Sequence, residues 1–357
     1  MENVSLLRHS RKHSGRELAT AKHICAEMLN TVRGRNEYIR LHGIDEKFAL
    51  PDANWSFESE NEFVQVFRRI ANGATDDLNL LRVFTQVFSG FNLYEVTPGQ
   101  GLTTSGLRVG PDFDEHLAAR LEKRNPMQVE QHRRLIDGLP PEYVLRAPAM
   151  LGEVGHVVGG GIVNSDTNGY QERVNILHAS GILARIQRKI DSGAPVRVCE
   201  IGGGYRALAL WFKQTFPTVS YTIIDLPESL LFSRLYLTMT LPGVATGLGL
   251  AEVASGIRFV PNHMAEELPG SFDLIVNTLS MSEMTEHQIR KYAHLMRRSW
   301  FAEDGLFFEQ NQNNRPMGLL FAREVLATIF EYDDPLHPPG APLPQGHASV
   351  WAINPVT

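Results

Sequence analysis

The chain has 357 residues, 43% of them hydrophobic and 21% charged, with a formal net charge of −6. That composition suits a soluble globular protein with one large core or two domains. It argues against a general nucleic-acid binder and, since no apolar run approaches the ~18 residues that cross a bilayer, against an integral membrane protein. Cys25 and Cys199 are the only cysteines, too few for a disulfide framework or a cysteine-rich zinc site, and they suggest a reducing cytoplasm.

The N-terminal segment lacks the apolar run of a secretory signal. Arg8, Arg11, Lys12 and Arg16 form a small basic cluster, expected to be a solvated, frayed terminus. From about Glu17 to Tyr94 the pattern is helical. ELATAKHICAEMLNTVRGRNEYIRLHG places apolar residues at three- and four-residue steps and stops at Gly43. After the break FALPDANW, two further amphipathic helices are expected in FESENEFVQVFRRIANG and DDLNLLRVFTQVFSGF. Residues 1–150 are therefore expected to form a helical region that covers a site, pairs two subunits into a homodimer, or both.

Residues 95–150 are less regular, with a helical stretch in RLEKRNPMQVEQHRRLIDGL. LGEVGHVVGGGIVNSDTNGYQERVNIL is expected to be a loop leading into a helix that runs on through ILARIQRKI. After Pro195 the texture changes. VRVCEI, YTIID, IRFVP, FDLIVNT and GLFFEQ are strand-like runs separated by helical patterns such as RALALWFKQTF and EHQIRKYAHLMRRSW. This alternation implies βαβ units and a parallel sheet, an α/β fold over residues 151–357. ASVWAIN is expected to be an edge strand, and DDPLHPPGAPLPQGH is too rich in proline for regular structure.

The most informative segment runs from Val196 to Asp225. The strand VRVCEI leads into Gly202-Gly203-Gly204 and then a helix, and the next strand ends in Asp225. Glycines let the backbone turn sharply and a ligand approach closely. An acid at the end of the second strand can accept hydrogen bonds from ribose hydroxyls. GGGYRA also fits the dinucleotide pattern, so an NAD-dependent oxidoreductase is a remote alternative. Glu200, however, would oppose a pyrophosphate and suits a zwitterionic sulfonium ligand better.

CEIGGGY, YTIIDLPESLLFSRLYL and FDLIVNTLSMSEM resemble the class I S-adenosylmethionine (SAM)-dependent methyltransferases. More narrowly, the IDLPE-type second strand and the N-x-x-S-x-x-EM segment resemble the sugar O-methyltransferase family, over roughly residues 150–315. The resemblance implies a Rossmann-like sheet with SAM above its carboxyl edge. Glu200, Gly202 and Gly204 would hold the methionine part, and Asp225 the ribose. Arg206 stands where a third glycine often sits. Tyr170 and Arg173 are candidates to close over SAM and its carboxylate, and His263 or Met264 to flank the adenine.

The fourth strand would deliver Asn277, Ser280, Glu283, Glu286 and His287 to the cleft, and the fifth Glu309, Gln310, Asn311 and Asn313. Asn277, Glu283, His287 and Glu309 are the candidates for catalysis, with Glu283 or His287 the base for a sugar hydroxyl, and Asn277 is also a candidate to contact the cofactor. His156, His178 and His263 also lie near the proposed cleft. Paired glutamates, Glu283 and Glu309 for instance, would alternatively hold a guanidinium such as that of free arginine for N-methylation. No His, Asp or Glu grouping has convincing metal spacing. The expected protein is a cytoplasmic, metal-independent SAM-dependent methyltransferase of a small polar molecule in natural-product or secondary metabolism, releasing S-adenosylhomocysteine (SAH).

Overall fold

The computed structural model describes residues 7–9, 11–51, 62–74, 76–84, 127–330 and 348–352. The second half of DDLNLLRVFTQVFSGF, the segment TPGQGLTTSG and the stretch DDPLHPPGAPLPQGH lie outside these residues.

Strand β1 (Leu7–His9) precedes the long helix α1 (Gly15–His42). Ser14 and Glu17 form a capping box at the start of α1, and Gly43 ends it at φ +64°, a conformation that costs glycine little. Arg11 pairs with Glu17 and β1 pairs with a later strand, so the basic cluster is tied down rather than frayed. Next come α2 (Glu46–Ala49), α3 (Glu62–Ala71) and α4 (Leu81–Phe84). A 3-10 turn, Asp76–Leu80, leads into α4 where one continuous amphipathic helix was expected. Helix α5 spans residues 127–136.

The expected glycine-rich loop is instead a β-hairpin, β2 (Glu153–Val158) and β3 (Gly161–Val163). Gly159 and Gly160, at φ +56° and +81°, make its two-residue turn, a geometry that favours glycine at both positions. With β1 it forms a three-stranded antiparallel sheet. The following helix is likewise two helices, α6 (Ser165–Ala179) and α7 (Ile182–Asp191), broken at Gly181 with φ +78°.

The remaining chain is a seven-stranded sheet with helices on both faces. Its elements are β4 (Arg197–Ile201), α8 (Ala207–Thr215), β5 (Ser220–Asp225), α9 (Pro227–Thr240) and β6 (Thr246–Leu248). They continue with β7 (Ile257–Pro261), β8 (Phe272–Thr278), α10 (Glu286–Leu295), β9 (Phe301–Gln310), α11 (Ala322–Leu326) and β10 (Ala348–Ala352). The strand order is β10-β9-β8-β4-β5-β7-β6, with every neighbour parallel except β10. This is the expected Rossmann-like α/β sheet, with Ala348–Ala352 of ASVWAIN as its antiparallel edge. The short β6 beyond β7 was not anticipated.

Side chains alternate across the sheet with a period of two. Val198, Ile223, Phe259, Leu274 and Phe308 join one apolar cluster with α8 and α9, and Trp211 and Phe212 are buried there. Cys199, Ile224, Val260, Ile275 and Phe307 join the other, with α10 and α11. Ala21, Ile24, Cys25 and Met28 of α1 belong to the first cluster, and Phe48 of α2 to the second. The apolar face of α1 is thus buried within the chain, where it packs on α3 and α9. Arg35–Glu228 and Arg234–Glu27 ion pairs fix α1 to α9.

Candidate functional site

Because β4, β5, β7, β8 and β9 run parallel, their carboxyl ends share one edge, the usual ligand side of such a sheet. The registers Ile201↔Ile224, Asp225↔Pro261, Ile201↔Asn277 and Asn277↔Glu309 bring most of the candidate residues to this edge.

The glycine turn follows β4 directly. Gly202 sits at φ +60° and donates its N–H to Ile224 O at 2.9 Å. A side-chain carbon on Gly202 would overlap Ser280 Oγ and Cβ, so glycine is required here on both counts. Gly204 has φ +61°. Tyr170, from α6, donates its hydroxyl to Gly203 O at 2.9 Å and buttresses the turn from within the core.

Glu200 is fully buried beside this turn. Tyr221 donates to its Oε2 at 3.1 Å, while Oε1 has no hydrogen-bond partner among the described residues. Burial pushes the Glu200 carboxyl up to about 7, opposed by the Arg206 guanidinium nearby. Asp225 accepts hydrogen bonds from Leu226 N at 2.7 Å and Ser229 Oγ at 2.9 Å, and forms an ion pair with Arg206. Arg206 is a residue of this turn whose placement the sequence did not disclose. It is fully buried at the N-cap of α8 with φ +75°, and a side-chain carbon on Gly203 would overlap both its Nη1 and Glu200 Oε1.

Arg173 donates from Nε to Gln310 Oε1 at 3.1 Å, with its guanidinium 4.4 Å from the centre of the Tyr170 ring. Both residues are therefore internal to the edge rather than poised over it. Asn277 is a fully buried hub. Its Nδ2 donates to Ile201 O and Ser280 Oγ, each at 2.6 Å, and its Oδ1 accepts from Asn311 Nδ2 at 2.9 Å. These bonds clamp the ends of β4, β8 and β9 together.

Glu309 lies on the same network. It accepts from Asn311 at 2.9 Å and pairs with Arg323 at 2.9 Å, both partners buried. Burial raises its carboxyl above the ordinary range while Arg323 opposes the rise. With both oxygens engaged, Glu309 does not form an open pair with Glu283. Glu283 ends a 3-10 turn, Met281–Glu283, and is half-buried; its backbone N–H bonds Ser280 O at 3.1 Å.

His287 is placed elsewhere, on the exposed first turn of α10, where Nε2 lies 2.6 Å from Asp45 Oδ2. Glu286 is exposed and pairs with Arg290 one turn on. His263 follows β7 as expected, but it is buried, with its ring edge-on to Tyr38 of α1 at 5.2 Å between centres. Burial and then Arg35 lower it to about 4. Met264 is half-buried against the second apolar cluster. His156 is buried in the β2–β3 hairpin, and His178 packs on Tyr143. Among the described residues, no group of three or more His, Cys, Asp or Glu could hold a metal ion, and no helix is long and apolar enough to cross a membrane.

No family model and no curated protein matches the sequence. Similar solved structures include the N-methyltransferase NodS from Bradyrhizobium japonicum WM9 in complex with SAH, at 15% identity and TM-score 0.36, covering 52% of this chain and 88% of NodS. The magnesium protoporphyrin IX methyltransferase ChlM from Synechocystis PCC 6803, with bound SAM, is 12% identical at TM-score 0.35, covering 65% of this chain and 94% of ChlM. The pyocyanin biosynthetic protein PhzM is 14% identical at TM-score 0.38, covering 82% of this chain and 73% of PhzM.

Proposed function

We propose that the chain is a SAM-dependent methyltransferase of a small polar molecule, with a sugar-type hydroxyl as the acceptor. One observation carries the cofactor reading: a buried carboxylate with an unpartnered oxygen, Glu200, stands beside a glycine turn with Asp225 at the end of the adjoining strand. The fit is chemical. An unpartnered buried carboxylate oxygen is costly alone and suits a cationic or hydroxylic partner. Two acids at the turn disfavour the pyrophosphate of a dinucleotide, which supports SAM over NAD.

When bound, SAM supplies a methyl group on an already cationic sulfur. Glu200 and the turn Gly202–Gly204 would hold its methionine part, and Asp225 its ribose hydroxyls. The rest falls to the chain's own groups. Asn277 fixes the relative positions of the strand ends, so that an acceptor can be held within about 3–3.5 Å of the reacting carbon. Glu283, half-buried at that edge, would take the proton of an acceptor hydroxyl. The engagement of Glu309 with Arg323 speaks for a hydroxyl acceptor over a guanidinium held between Glu283 and Glu309. Titration with SAH and with NAD tests the cofactor. Methyl turnover on a panel of sugars, glycosides, arginine and other guanidines tests the acceptor, and turnover confined to guanidines would overturn the hydroxyl reading.

A further inference from the structure

The Arg206 guanidinium is buried at the glycine turn, where it pairs with Asp225 and lies beside Glu200 over the α-carbon of Gly203. Two of its donors, Nε and Nη1, have no hydrogen-bond partner among the described residues. A buried arginine ordinarily fills all its donor positions, so this seat is only partly satisfied. Its backbone, at φ +75°, is in a region that costs an L-residue with a bulky side chain roughly 1–2 kcal/mol. The guanidinium is therefore held by its ion pair with Asp225, with Glu200 adding electrostatic attraction, and not by the local backbone.

We infer that Arg206 is an internal competitor for the cofactor site: its guanidinium occupies the carboxylate that a ribose must reach, and SAM enters only as that ion pair opens. The inference rests on the cofactor reading above. Asp225 Oδ2 already accepts from Ser229 and Arg206, and Oδ1 from Leu226 N, so two ribose hydroxyls cannot be added with the guanidinium in place. Apparent affinity is then the intrinsic affinity reduced by the fraction of molecules with Arg206 unseated. The residue that departs from the glycine pattern thus sets cofactor affinity.

The test compares the full-length protein with Arg206→Gly and Arg206→Asn. Glycine suits the positive φ, and asparagine tolerates it, so both variants keep the backbone of the turn. SAM and SAH are titrated calorimetrically at pH 8.5, above the raised Glu200 value, with thermal melts of each unliganded variant to verify folding. If the seated state holds about nine molecules in ten, both variants bind about tenfold tighter than the wild type. The gain is the same for SAM and SAH, because only the unliganded state has changed. Equal or weaker binding by both folded variants overturns the inference, as does a gain confined to SAM, which would leave Arg206 beside the bound sulfonium. If neither the wild type nor the variants bind SAM or SAH, the cofactor reading itself fails.

Discussion

The turn between β4 and α8 depends on Gly202 for two separable reasons, and substitution can measure each. In Gly202→Ala the new methyl requires a left-handed backbone at φ +60° and overlaps Ser280 Oγ and Cβ. The first requirement costs about 1–2 kcal/mol. Forcing a carbon into a packed site costs about 1–3 kcal/mol more. The total is about 2–5 kcal/mol, a large share of the stability of an ordinary domain. The next nearest atom is Ser280 Cα at 3.9 Å, an ordinary contact, so Ser280→Gly removes the overlap and leaves the backbone cost. Ser280→Gly alone loses the bonds to Ile201 O and Asn277, for about 1 kcal/mol each. Urea unfolding of the two single variants and the double variant closes the cycle. In the Ser280→Gly background, adding Gly202→Ala should cost only about 1–2 kcal/mol. A cost that is undiminished in that background refutes the contact between the turn and Ser280.

Three further outcomes are expected. Asp225→Ala weakens SAH binding in calorimetry, and unchanged affinity removes the ribose assignment. Glu283→Gln leaves SAH affinity near that of the wild type and cuts methyl turnover at saturating cofactor; normal turnover moves the proton-accepting role elsewhere. Glu200 gives a pH dependence of opposite sign in two measurements. Its carboxyl rises from 4.5 to about 7 on folding, so the native state retains a proton that the unfolded chain releases. The stability it contributes is fully present below the unfolded value and is lost as pH rises through the folded one. On the proposed cofactor reading, SAM binding uses the ionised form and strengthens over the same interval. Glu200→Gln flattens that part of both profiles, followed by unfolding and by SAH titration from pH 5 to 8; an unchanged slope in both refutes the titration of Glu200.

Local sequence disclosed the sheet because its strands are written as compact apolar runs bounded by glycine or acids, and parallel pairing needs little else. VRVCEI, YTIID and FDLIVNT are buried on both faces, which is why each reads as a nearly continuous run. The β2–β3 hairpin escaped because its glycines outweighed the alternation in EVGHVV, although Gly159-Gly160 is itself a hairpin signal. The break of α6 from α7 at Gly181 had the same origin: apolar periodicity continued across a residue with positive φ. Side-chain commitments were harder to read because they join distant segments. His287 pairs with Asp45, 242 positions away, and Arg173 reaches Gln310, 137 away. Even the 14-position link between Glu309 and Arg323 depends on how the chain after β9 folds back.

The charges at the turn explain why an arginine can occupy a position where glycine would suffice. Glu200 and Asp225 end adjoining strands, and one guanidinium between them offsets part of their mutual repulsion. Taking like charges out of water is costly unless a counter-charge is held close. Removing Arg206 leaves both acids uncompensated, so the unliganded turn loses stability even as backbone strain is relieved. SAM carries an ammonium, a carboxylate and a sulfonium, a net charge of one positive unit. On the proposed reading, its entry with the departure of the guanidinium would exchange one cation for another, and the acids would remain balanced on both sides of the exchange. SAH lacks the sulfonium charge and leaves the turn one unit more negative. On the proposed reading, the same two acids would, with the guanidinium unseated, favour the charged substrate over the neutral product, a bias that would aid product release after methyl transfer.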